Sequence, residues 1–376
     1  MNTEKQDDDV IITDADTAVE DHNEGSGLYP YDPTKEDIDI REAPHTVFEL
    51  MRKYEQKKLI INPDFQRNLV WNPDQKSRFI ESIILNFPIP PFYVNQTREG
   101  KYIVVDGLQR TSTLHEFIND KFELKGLEAL LKLNGCNFSE LKTLVGDYQT
   151  RIEDNKLSLY VIKPSVPVAV VYDIFNRINT GGTMLNRQEV RNCIFIGKAT
   201  ELLKELSEEE YFKKAIDNGV SPTRMKDREV VLRYFAFRIF DYKTDYYGDM
   251  SDFVEKAMRK INLMANKEIA TLKSDFERVM TLTFEFFGES NFRLSIKQTR
   301  GSRINIAILE SVCYFFSAKS DSFLKKNKQC IKRNFKQLLK NGSYLEAVRF
   351  TTSNRANVVN RFKLAQEILG EGCETC

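Results

Sequence analysis

The residues best suited to chemistry lie in one short run, YIVVDGLQRTSTLHEFI at 102–118. Its first part predicts a strand too continuous in apolar residues to lie at a sheet edge, and its second part predicts a helix. Asp106 and Gly107 stand where the strand gives way to the helix. Folds of the α/β type bind anions at such positions, because backbone N–H groups and the helix dipole favour negative charge and a glycine lets the ligand approach the main chain. We therefore expect a phosphate site here.

Each polar side chain of this run suits a different task beside a phosphate. The guanidinium of Arg110 matches phosphate oxygens, and the hydroxyl groups of Thr111 and Thr113 add donors. Asp106 can hold Mg²⁺ directly or through water, and Gln109 can orient a water molecule. The plainer alternative is a turn at the strand end whose aspartate caps the helix. Composition alone does not decide between the two.

A second segment of similar character is NPDFQRNLVW at 62–71. It places Gln66 and Arg67 directly after another predicted strand, with Trp71 close by. An arginine beside an aromatic ring can bind phosphate or can simply stack on the ring. Both interpretations stay open for Arg67.

The third segment, IFNRINTGGTMLNRQEVRN at 174–192, predicts a helix, a tight turn and a second helix whose Asn186 and Glu189 form a capping box. Two adjacent glycines can simply end a helix. The turn nevertheless collects more polar groups than a plain connection requires. We add its residues to the candidate phosphate-binding set: Arg177, Asn179, Gly181 and Gly182.

The elements that must position these residues can be predicted from apolar patterning. Four short apolar segments predict the strands of a small mixed sheet: 58–63, 91–96, 101–107 and 157–163. A helix capped by Asn72, with Pro73 at its first position, precedes the second strand, and its predicted apolar face is Phe79, Ile80, Ile83, Ile84 and Phe87. Another helix follows the third strand, from about Thr111 to Asn119.

From residue 168 onward the pattern is helical, and the predicted segments are 168–179, 187–196, 227–241, 251–267, 269–287, 304–317, 321–340 and 355–369. The predicted fold class is therefore α+β, with a small mixed-sheet domain followed by an all-helical domain.

The formal net charge of zero conceals a division of charge along the chain. Residues 1–42 hold 14 acidic and 3 basic side chains, which leaves 41 acidic and 52 basic side chains for the remainder. The leader has too few apolar side chains to offset the entropy of ordering, so we expect residues 1–42 to be disordered. A solvated acidic tail is the simple interpretation. The alternative is a tail that competes with a polyanion for the basic body.

Two basic segments stand out in the helical half. NFRLSIKQTRGSR (291–303) has four basic residues, FLKKNKQCIKRNFKQLLK (323–340) has seven, and neither contains an acid. Solvated helix faces are the default interpretation of such runs. Two runs in one domain also suit contacts with a phosphate backbone, and Arg355, Arg361 and Lys363 extend the pattern. The candidate DNA-binding residues are Arg300, Arg303, Lys325, Lys326, Lys332 and Arg333.

Several classes of site are disfavoured by the sequence. The six cysteines are scattered, the three histidines lie apart, and the Cys-x-x-Cys at 373–376 lies in a segment too short and polar for a thioredoxin-type turn. No Gly-x-x-x-x-Gly-Lys-Ser/Thr motif occurs, which excludes a P-loop. The sequence also has no run of about 18 apolar residues and no signal-peptide pattern, so we expect a cytoplasmic protein without a membrane anchor.

Taken in order, the motifs of this chain resemble the N-terminal domain of GmrSD-type restriction endonucleases. They are PDFQR with a following W, PIPP, VVDGLQR, FNRINTGG and DREVVLRYFAFR, and the resemblance spans about 45–240. It implies a ParB/sulfiredoxin-like core that binds and hydrolyses nucleotides in bacterial defence against phage DNA. We accordingly expect a ParB-like nucleotide-binding α/β domain at 43–165 and a helical domain at 166–376, of which 166–240 completes the family core.

The resemblance assigns roles to residues that match its motifs. The family's Asp-Gly-x-Gln-Arg element falls on Asp106, Gly107, Gln109 and Arg110; its earlier Gln-Arg pair falls on Gln66 and Arg67; its Asn-x-Gly-Gly element falls on Asn179, Gly181 and Gly182, with Arg177 just before. Many relatives have glutamine where this chain has Leu108. An apolar side chain cannot polarise water, so binding is better supported than turnover. Leu108 also stands where a sulfiredoxin needs its cysteine nucleophile.

The leading hypothesis is Mg²⁺-assisted hydrolysis of a nucleoside triphosphate that controls DNA engagement or a partner nuclease, in a chain that could also oligomerise. Arg67 and Arg110 would grip phosphates, Asp106 would position metal or water, and Gln109 would orient the attacking water.

A rival is a non-catalytic DNA-binding adaptor that uses the same pocket for phosphate. The third is a metal-dependent nuclease built on Asp106, Glu123 and Lys125. Relatives often carry a C-terminal His-Asn-His nuclease, but the last histidine here is His115, so cutting would fall to another chain.

Overall fold

The computed structural model describes residues 38–61, 71–97, 99–178, 186–294 and 303–373. These residues form two compact units that meet in sequence between Ile194 and Phe195. Most of the predicted acidic leader, the Gln66–Arg67 segment and the Asn179–Gly182 turn lie outside the described residues. The predicted domain limits stay a prediction.

The described residues of the first unit form seven strands and six α-helices. The strands are β1 (Ile40–Glu42), β2 (His45–Thr46), β3 (Leu59–Ile60), β4 (Phe92–Gln96), β5 (Tyr102–Asp106), β6 (Lys156–Leu157) and β7 (Leu159–Ile162). The helices are α1 (Val47–Glu55), α2 (Pro73–Ile84), α3 (Leu108–Ile118), α4 (Tyr148–Glu153), α5 (Val168–Ile178) and α6 (Arg187–Ile194).

The main sheet has five strands in the order β1-β7-β4-β5-β3. The β1–β7 and β4–β5 pairs are antiparallel, whereas the β7–β4 and β5–β3 pairs are parallel, so the predicted mixed sheet is confirmed. β5 lies between two neighbours, as its continuous apolar sequence predicts. β2 and β6 form a separate antiparallel pair. The predictions missed β1 and β2, because strands of three and two residues show no periodicity; β1 occupies the last residues of the expected leader.

Helix α2 begins where its capping residues predict. The backbone N–H of Asn72 donates to Gln75 Oε1, and the N–H of Gln75 donates to Asn72 Oδ1, each at 2.9 Å. The predicted apolar face is buried except for Phe87, which is 56% exposed. That part of the prediction is wrong because α2 ends at Ile84 and Asn86 adopts a positive φ of 57°, which turns the chain out of the helix.

The hydrophobic core of the first unit lies between one face of the sheet and helices α1, α2 and α3. Phe92 and Val94 of β4 face this core together with Val104 of β5. The helices contribute residues that include Leu50, Ile80, Leu114 and Phe117. This packing holds β5 against the helices.

The second unit is helical throughout its described part, as expected. Its helices are α7 (Lys198–Glu208), α8 (Glu210–Ile216), α9 (Lys226–Ile239), α10 (Met250–Leu263), α11 (Asn266–Phe287), α12 (Ile306–Ser317), α13 (Asp321–Lys326), α14 (Lys328–Leu338), α15 (Gly342–Arg349) and α16 (Arg355–Gly370). The single helix predicted over 321–340 is wrong. Asn327 ends α13, its side-chain Nδ2 donating to the carbonyl of Phe323 at 3.0 Å, and α14 starts anew. Among the described residues, no helix combines the length and apolar character needed to cross a membrane.

Three buried charged residues of the second unit, two arginines and one glutamate, form a cluster. Glu310 of α12 pairs through Oε1 with Arg233 Nε at 3.2 Å and through Oε2 with Arg361 Nη2 at 2.5 Å. All three side chains are buried. Arg361 therefore belongs to the core and not to a DNA-binding surface, which corrects the sequence-based expectation. Arg355 likewise donates to the backbone carbonyls of two residues of the second unit, Tyr246 and Lys243.

We predict that Glu310→Ala lowers the free energy of unfolding of the helical unit by about 3–5 kcal/mol, because it leaves two buried guanidinium groups without a counter-charge. Urea unfolding followed by circular dichroism measures the loss. The matched control is Glu346→Ala on the exposed face of α15, for which we expect a change within about 0.5 kcal/mol. Equal losses for the two variants would contradict the cluster's role.

Candidate functional site

The candidate site starts at the turn between β5 and α3. Gly107 adopts φ 101° and ψ 14° and is the N-cap of α3, with no side chain capping the helix. Asp106 does not cap α3, so the capping alternative is wrong. Its Oδ2 accepts a hydrogen bond from Arg110 Nη2 at 2.9 Å, one helical turn further on. The helix also starts at Leu108, earlier than predicted, because Gly107 completes the turn within a single residue.

Phe92 explains why position 107 holds glycine. A Cβ atom built on Gly107 would lie 2.4 Å from Phe92 Cδ1 and 2.9 Å from Cε1. The backbone conformation also lies in the left-handed region, which a side chain disfavours. The glycine therefore allows the strand end to pass directly over the Phe92 ring.

Arg110 is the most constrained polar residue of the site and is only 8% exposed. Its guanidinium lies over the Phe92 ring, with Cζ 4.4 Å from the ring centroid. It donates to the backbone carbonyls of Pro90 and Pro91 as well as to Asp106. Burial lowers the pKa of Arg110 from its ordinary value, and the charge of Asp106 opposes that shift. The guanidinium thus connects the Pro90–Pro91 segment to the strand end.

The two threonines expected to face a phosphate are turned towards their own helix. Thr111 Oγ1 donates to the carbonyl of Gly107 at 2.9 Å, and Thr113 Oγ1 donates to the carbonyl of Gln109 at 2.8 Å. Both side chains are buried. Threonines inside helices commonly make this bond to the carbonyl four residues earlier. In this structure the hydroxyls are therefore engaged by the backbone.

Asp106 and Gln109 are the more accessible groups of the motif. The Asp106 side chain is 35% exposed, and its Oδ1 accepts no hydrogen bond from any described residue. Gln109 Oε1 accepts from the backbone N–H of Trp71 at 3.4 Å. This contact links α3 to Trp71, which lies four residues after Arg67 in the sequence.

Sequence reasoning missed two tyrosines near the end of β5: Tyr93 on the strand next to Asp106, and Tyr160 one strand further away. In the register of the sheet Tyr93 of β4 lies opposite Asp106 on one side and opposite Tyr160 of β7 on the other. The tyrosine rings stack with their centroids 5.2 Å apart. Burial raises the pKa of Tyr93, with further contributions from Tyr160 and Asp106. Neither hydroxyl has a hydrogen-bond partner within the described ranges. In each strand the tyrosine directly follows a core-facing residue, and this position is the only sign of the tyrosine pair in the sequence. Predicting that the two rings meet also requires knowing that β4 pairs with β7.

The segment around α5 and α6 is described in part. Arg177 is largely exposed, and its Nε lies 3.0 Å from Asp173 Oδ1. The capping box at the start of α6 is confirmed: Asn186 N–H donates to Glu189 Oε2 at 2.7 Å, and Glu189 N–H donates to Asn186 Oδ1 at 2.8 Å. The other members of the candidate set lie outside the described residues: Gln66, Arg67, Asn179, Gly181 and Gly182.

The candidate DNA-binding residues divide by exposure. Lys325, Lys326 and Arg333 are exposed on α13 and α14, and Lys332 is half-buried. Arg303 is exposed at the start of the last described range, and Arg300 lies outside the described residues. Arg293, from the same basic segment, is fully buried and pairs with Asp217 at 3.2 Å. Only part of each basic segment therefore contributes surface charge.

A metal ion at this site would have Asp106 as its carboxylate ligand. The described residues contain no cluster of three or more His, Cys, Asp or Glu side chains. Mg²⁺ in nucleotide sites is commonly held by one or two carboxylates, while phosphates and water supply the other oxygens. Asp106 with its unbonded Oδ1 fits that arrangement. The nuclease hypothesis groups Lys125 with Asp106 and Glu123. In the structure Lys125 Nζ lies 3.9 Å from a different carboxylate, Asp74 Oδ1.

We predict that Gly107→Ala destabilises the first unit more than Gly135→Ala does, by about 1–3 kcal/mol. Both glycines have positive φ, 101° and 85°, but a Cβ at position 135 meets no atom within 4 Å. The difference thus isolates the collision with Phe92. Thermal and urea unfolding of both variants provide the measurement. Equal losses would show that backbone strain alone accounts for the glycine.

Comparison with known proteins agrees with the geometry of the first unit. Residues 47–196 match the model of the N-terminal domain of GmrSD restriction endonucleases. The match ends within two residues of the boundary at Ile194 and contains β3 to β7 and α1 to α6. It is shorter than the span of 45–240 expected from the motifs. No curated protein matches the chain. Residues 47–196 are therefore similar to the N-terminal domain of GmrSD restriction endonucleases, which suggests a component of a restriction or anti-phage system.

Proposed function

We propose that this chain binds a nucleoside triphosphate with Mg²⁺ at the carboxyl end of β5 and hydrolyses it, and that the bound state controls engagement of phage DNA or of a partner nuclease. The observation that carries the proposal is the Asp106 carboxylate. One oxygen is held by Arg110 at 2.9 Å, and the other is unbonded within the described residues. A fixed, half-exposed carboxylate at a strand end is suited to metal and phosphate chemistry.

In this proposal Arg110 is a positioning residue. Its three hydrogen bonds inside the fold set the direction of the Asp106 carboxylate and keep the Pro90–Pro91 segment in place. The role of gripping phosphates then passes to Arg67, with Arg177 as a second candidate. Arg67 precedes Trp71 by four residues, so its Cα lies within about 14 Å of that of Trp71. Gln109 binds the backbone of Trp71, the first described residue after the Gln66–Arg67 segment.

The hydroxyl donors come from the tyrosines in this account. Tyr93 lies opposite Asp106 on the neighbouring strand and Tyr160 stacks on Tyr93, whereas the hydroxyls of Thr111 and Thr113 are engaged by helix carbonyls. A phenol without a partner gains a hydrogen bond when a phosphate or ribose oxygen approaches it. The loop with Asn179, Gly181 and Gly182 would supply backbone N–H donors to the same ligand.

Hydrolysis would divide among the chain's residues as follows. Asp106 orients a metal-bound or free water, and Gln109, whose carbonyl oxygen is directed by the Trp71 N–H, orients the attacking water molecule. Bound Mg²⁺ would supply neutralisation of the charge that develops on the phosphate oxygens. Leu108 provides no polar group for this step, so a slow rate is expected.

We predict that purified protein with Mg²⁺ releases phosphate from a nucleoside triphosphate and that Asp106→Asn lowers kcat by about 100-fold or more. Gln109→Ala lowers it similarly. Arg110→Lys lowers both kcat and the melting temperature, because lysine cannot make the three directed bonds of the guanidinium. The control is Asp154→Asn on an exposed position of the same unit. Release of phosphate at one background rate from every variant would favour the non-catalytic adaptor, and Mg²⁺-dependent plasmid cleavage by the isolated chain would favour the nuclease.

A second surface supports the proposed contact with DNA. Lys325, Lys326 and Arg333 are exposed on consecutive helices of the second unit. Contacts of this type are made to phosphates and carry no sequence information.

We predict that Lys325→Ala with Lys326→Ala weakens DNA binding for all sequences and lowers the salt dependence of log K by about one unit per lost contact. Binding isotherms at several salt concentrations measure it. Lys260→Ala, an exposed lysine on α10, is the control and keeps the wild-type slope. An unchanged slope in the double variant would remove these lysines from the DNA surface.

A further inference from the structure

Two cysteines far apart in sequence meet where the end of α16 reaches α14. The Sγ atoms of Cys330 and Cys373 lie 3.0 Å apart, closer than non-bonded sulfur atoms normally approach. Both residues are half-buried and both are free thiols. A small oxidant can therefore reach a pair that is already in place.

The surrounding polar contacts hold this pair together. Asn334 of α14 is buried, and its Nδ2 donates to the carbonyls of Glu371 at 2.8 Å and Leu369 at 3.3 Å. The Cys330 thiol also lies 3.4 Å from the Glu371 carbonyl. Gly372 then turns the chain through a positive φ of 64°, which directs Cys373 back towards α14. The contact is thus built by the fold and does not depend on a flexible tail.

A zinc site explains this geometry less well. Two thiolates at zinc each lie about 2.3 Å from the metal in a tetrahedral arrangement, which separates the sulfurs by roughly 3.8 Å. The measured distance is shorter, and the described residues provide no third ligand that would complete a cluster. A covalent bond between the sulfurs is the better fit.

We propose that Cys330 and Cys373 are an oxidation site that closes to a disulfide when a hydroperoxide reaches the end of α16. The Cys330 thiolate attacks the terminal peroxide oxygen and the O–O bond breaks, which yields a sulfenic acid on Cys330 and an alcohol, or water from hydrogen peroxide. The Cys373 sulfur then attacks Cys330 Sγ and the S–O bond breaks. The departing hydroxide takes the Cys373 proton and leaves as water. The proton that the Cys330 thiol loses goes to the alkoxide or hydroxide released in the first step. The two thiols together lose two protons and two electrons, and the peroxide is reduced.

The two sulfurs have different environments, which assigns their order. Arg333 Nη2 lies 3.5 Å from Cys330 Sγ, so the guanidinium contacts this sulfur. Burial raises the pKa of Cys373 to about 12, with a further contribution from its contact with Cys330. Cys330 therefore reacts first with the oxidant, and Cys373 is the resolving thiol. Oxidation would link α16 to the helix that carries the exposed Arg333, independently of the nucleotide site.

Treatment of the reduced full chain with hydrogen peroxide, followed by peptide mass mapping without reductant, tests the proposal. We expect the peptides of Cys330 and Cys373 to be joined, with loss of two hydrogens, and to separate again with a thiol reductant. Dimedone, which traps sulfenic acids, should label Cys330 at least tenfold more in Cys373→Ser than in the wild type. Cys376→Ser is the matched control and keeps the link.

A Cys373–Cys376 link in the wild type would overturn the proposal, as would stable sulfenic or sulfinic acids on Cys330 without cross-linking. Circular dichroism of the serine variants verifies folding. A second measurement uses only the wild type: the oxidised protein should melt at a higher temperature than the reduced protein, because the cross-link restricts the unfolded chain. Identical melting curves would also count against a Cys330–Cys373 bond.

Discussion

The pairing of the buried Arg110 guanidinium is the constraint on which the first unit's site depends. A charge removed from water is costly unless it is paired and hydrogen-bonded, and Arg110 meets this condition through Asp106 and the carbonyls of Pro90 and Pro91. The same contacts fix the end of β5, the start of α3 and the segment that enters β4. Any chemistry of Asp106 is therefore performed by a carboxylate whose position the fold determines.

This constraint changes how the motif is understood. The spacing of Asp106 and Arg110 places them one helical turn apart, and Gly107 is required because the Phe92 ring occupies the space of a side chain. The motif therefore has two roles: it stabilises the fold, and it presents the Asp106 carboxylate. The ligand-facing donors must come from elsewhere. Tyr93 lies opposite Asp106 on the neighbouring strand, and Tyr160 of β7 stacks on Tyr93.

The basic residues of the second unit show that the charge pattern of a sequence does not by itself predict which side chains are exposed. Arg293 and Arg361 are in the interior, paired with Asp217 and Glu310, whereas Lys325 and Lys326 face solvent. Arginine can satisfy several acceptors in a core because its donors form a planar fork, and lysine more often keeps its compact charge in water. Positive segments of similar composition therefore have different roles.

The sequence by itself determined the features that neighbouring residues control. Strands β4, β5 and β7, the Asn72 cap of α2 and the Asn186–Glu189 box follow from short apolar runs, from capping side chains and from proline, which act over at most a few residues. Tertiary structure alone decided that Tyr93 meets Tyr160, that Glu310 neutralises Arg361, and that the sulfurs of Cys330 and Cys373 touch. These contacts join residues 43 to 67 positions apart in the chain. Periodicity carries no information about such pairs, because they depend on how whole elements pack.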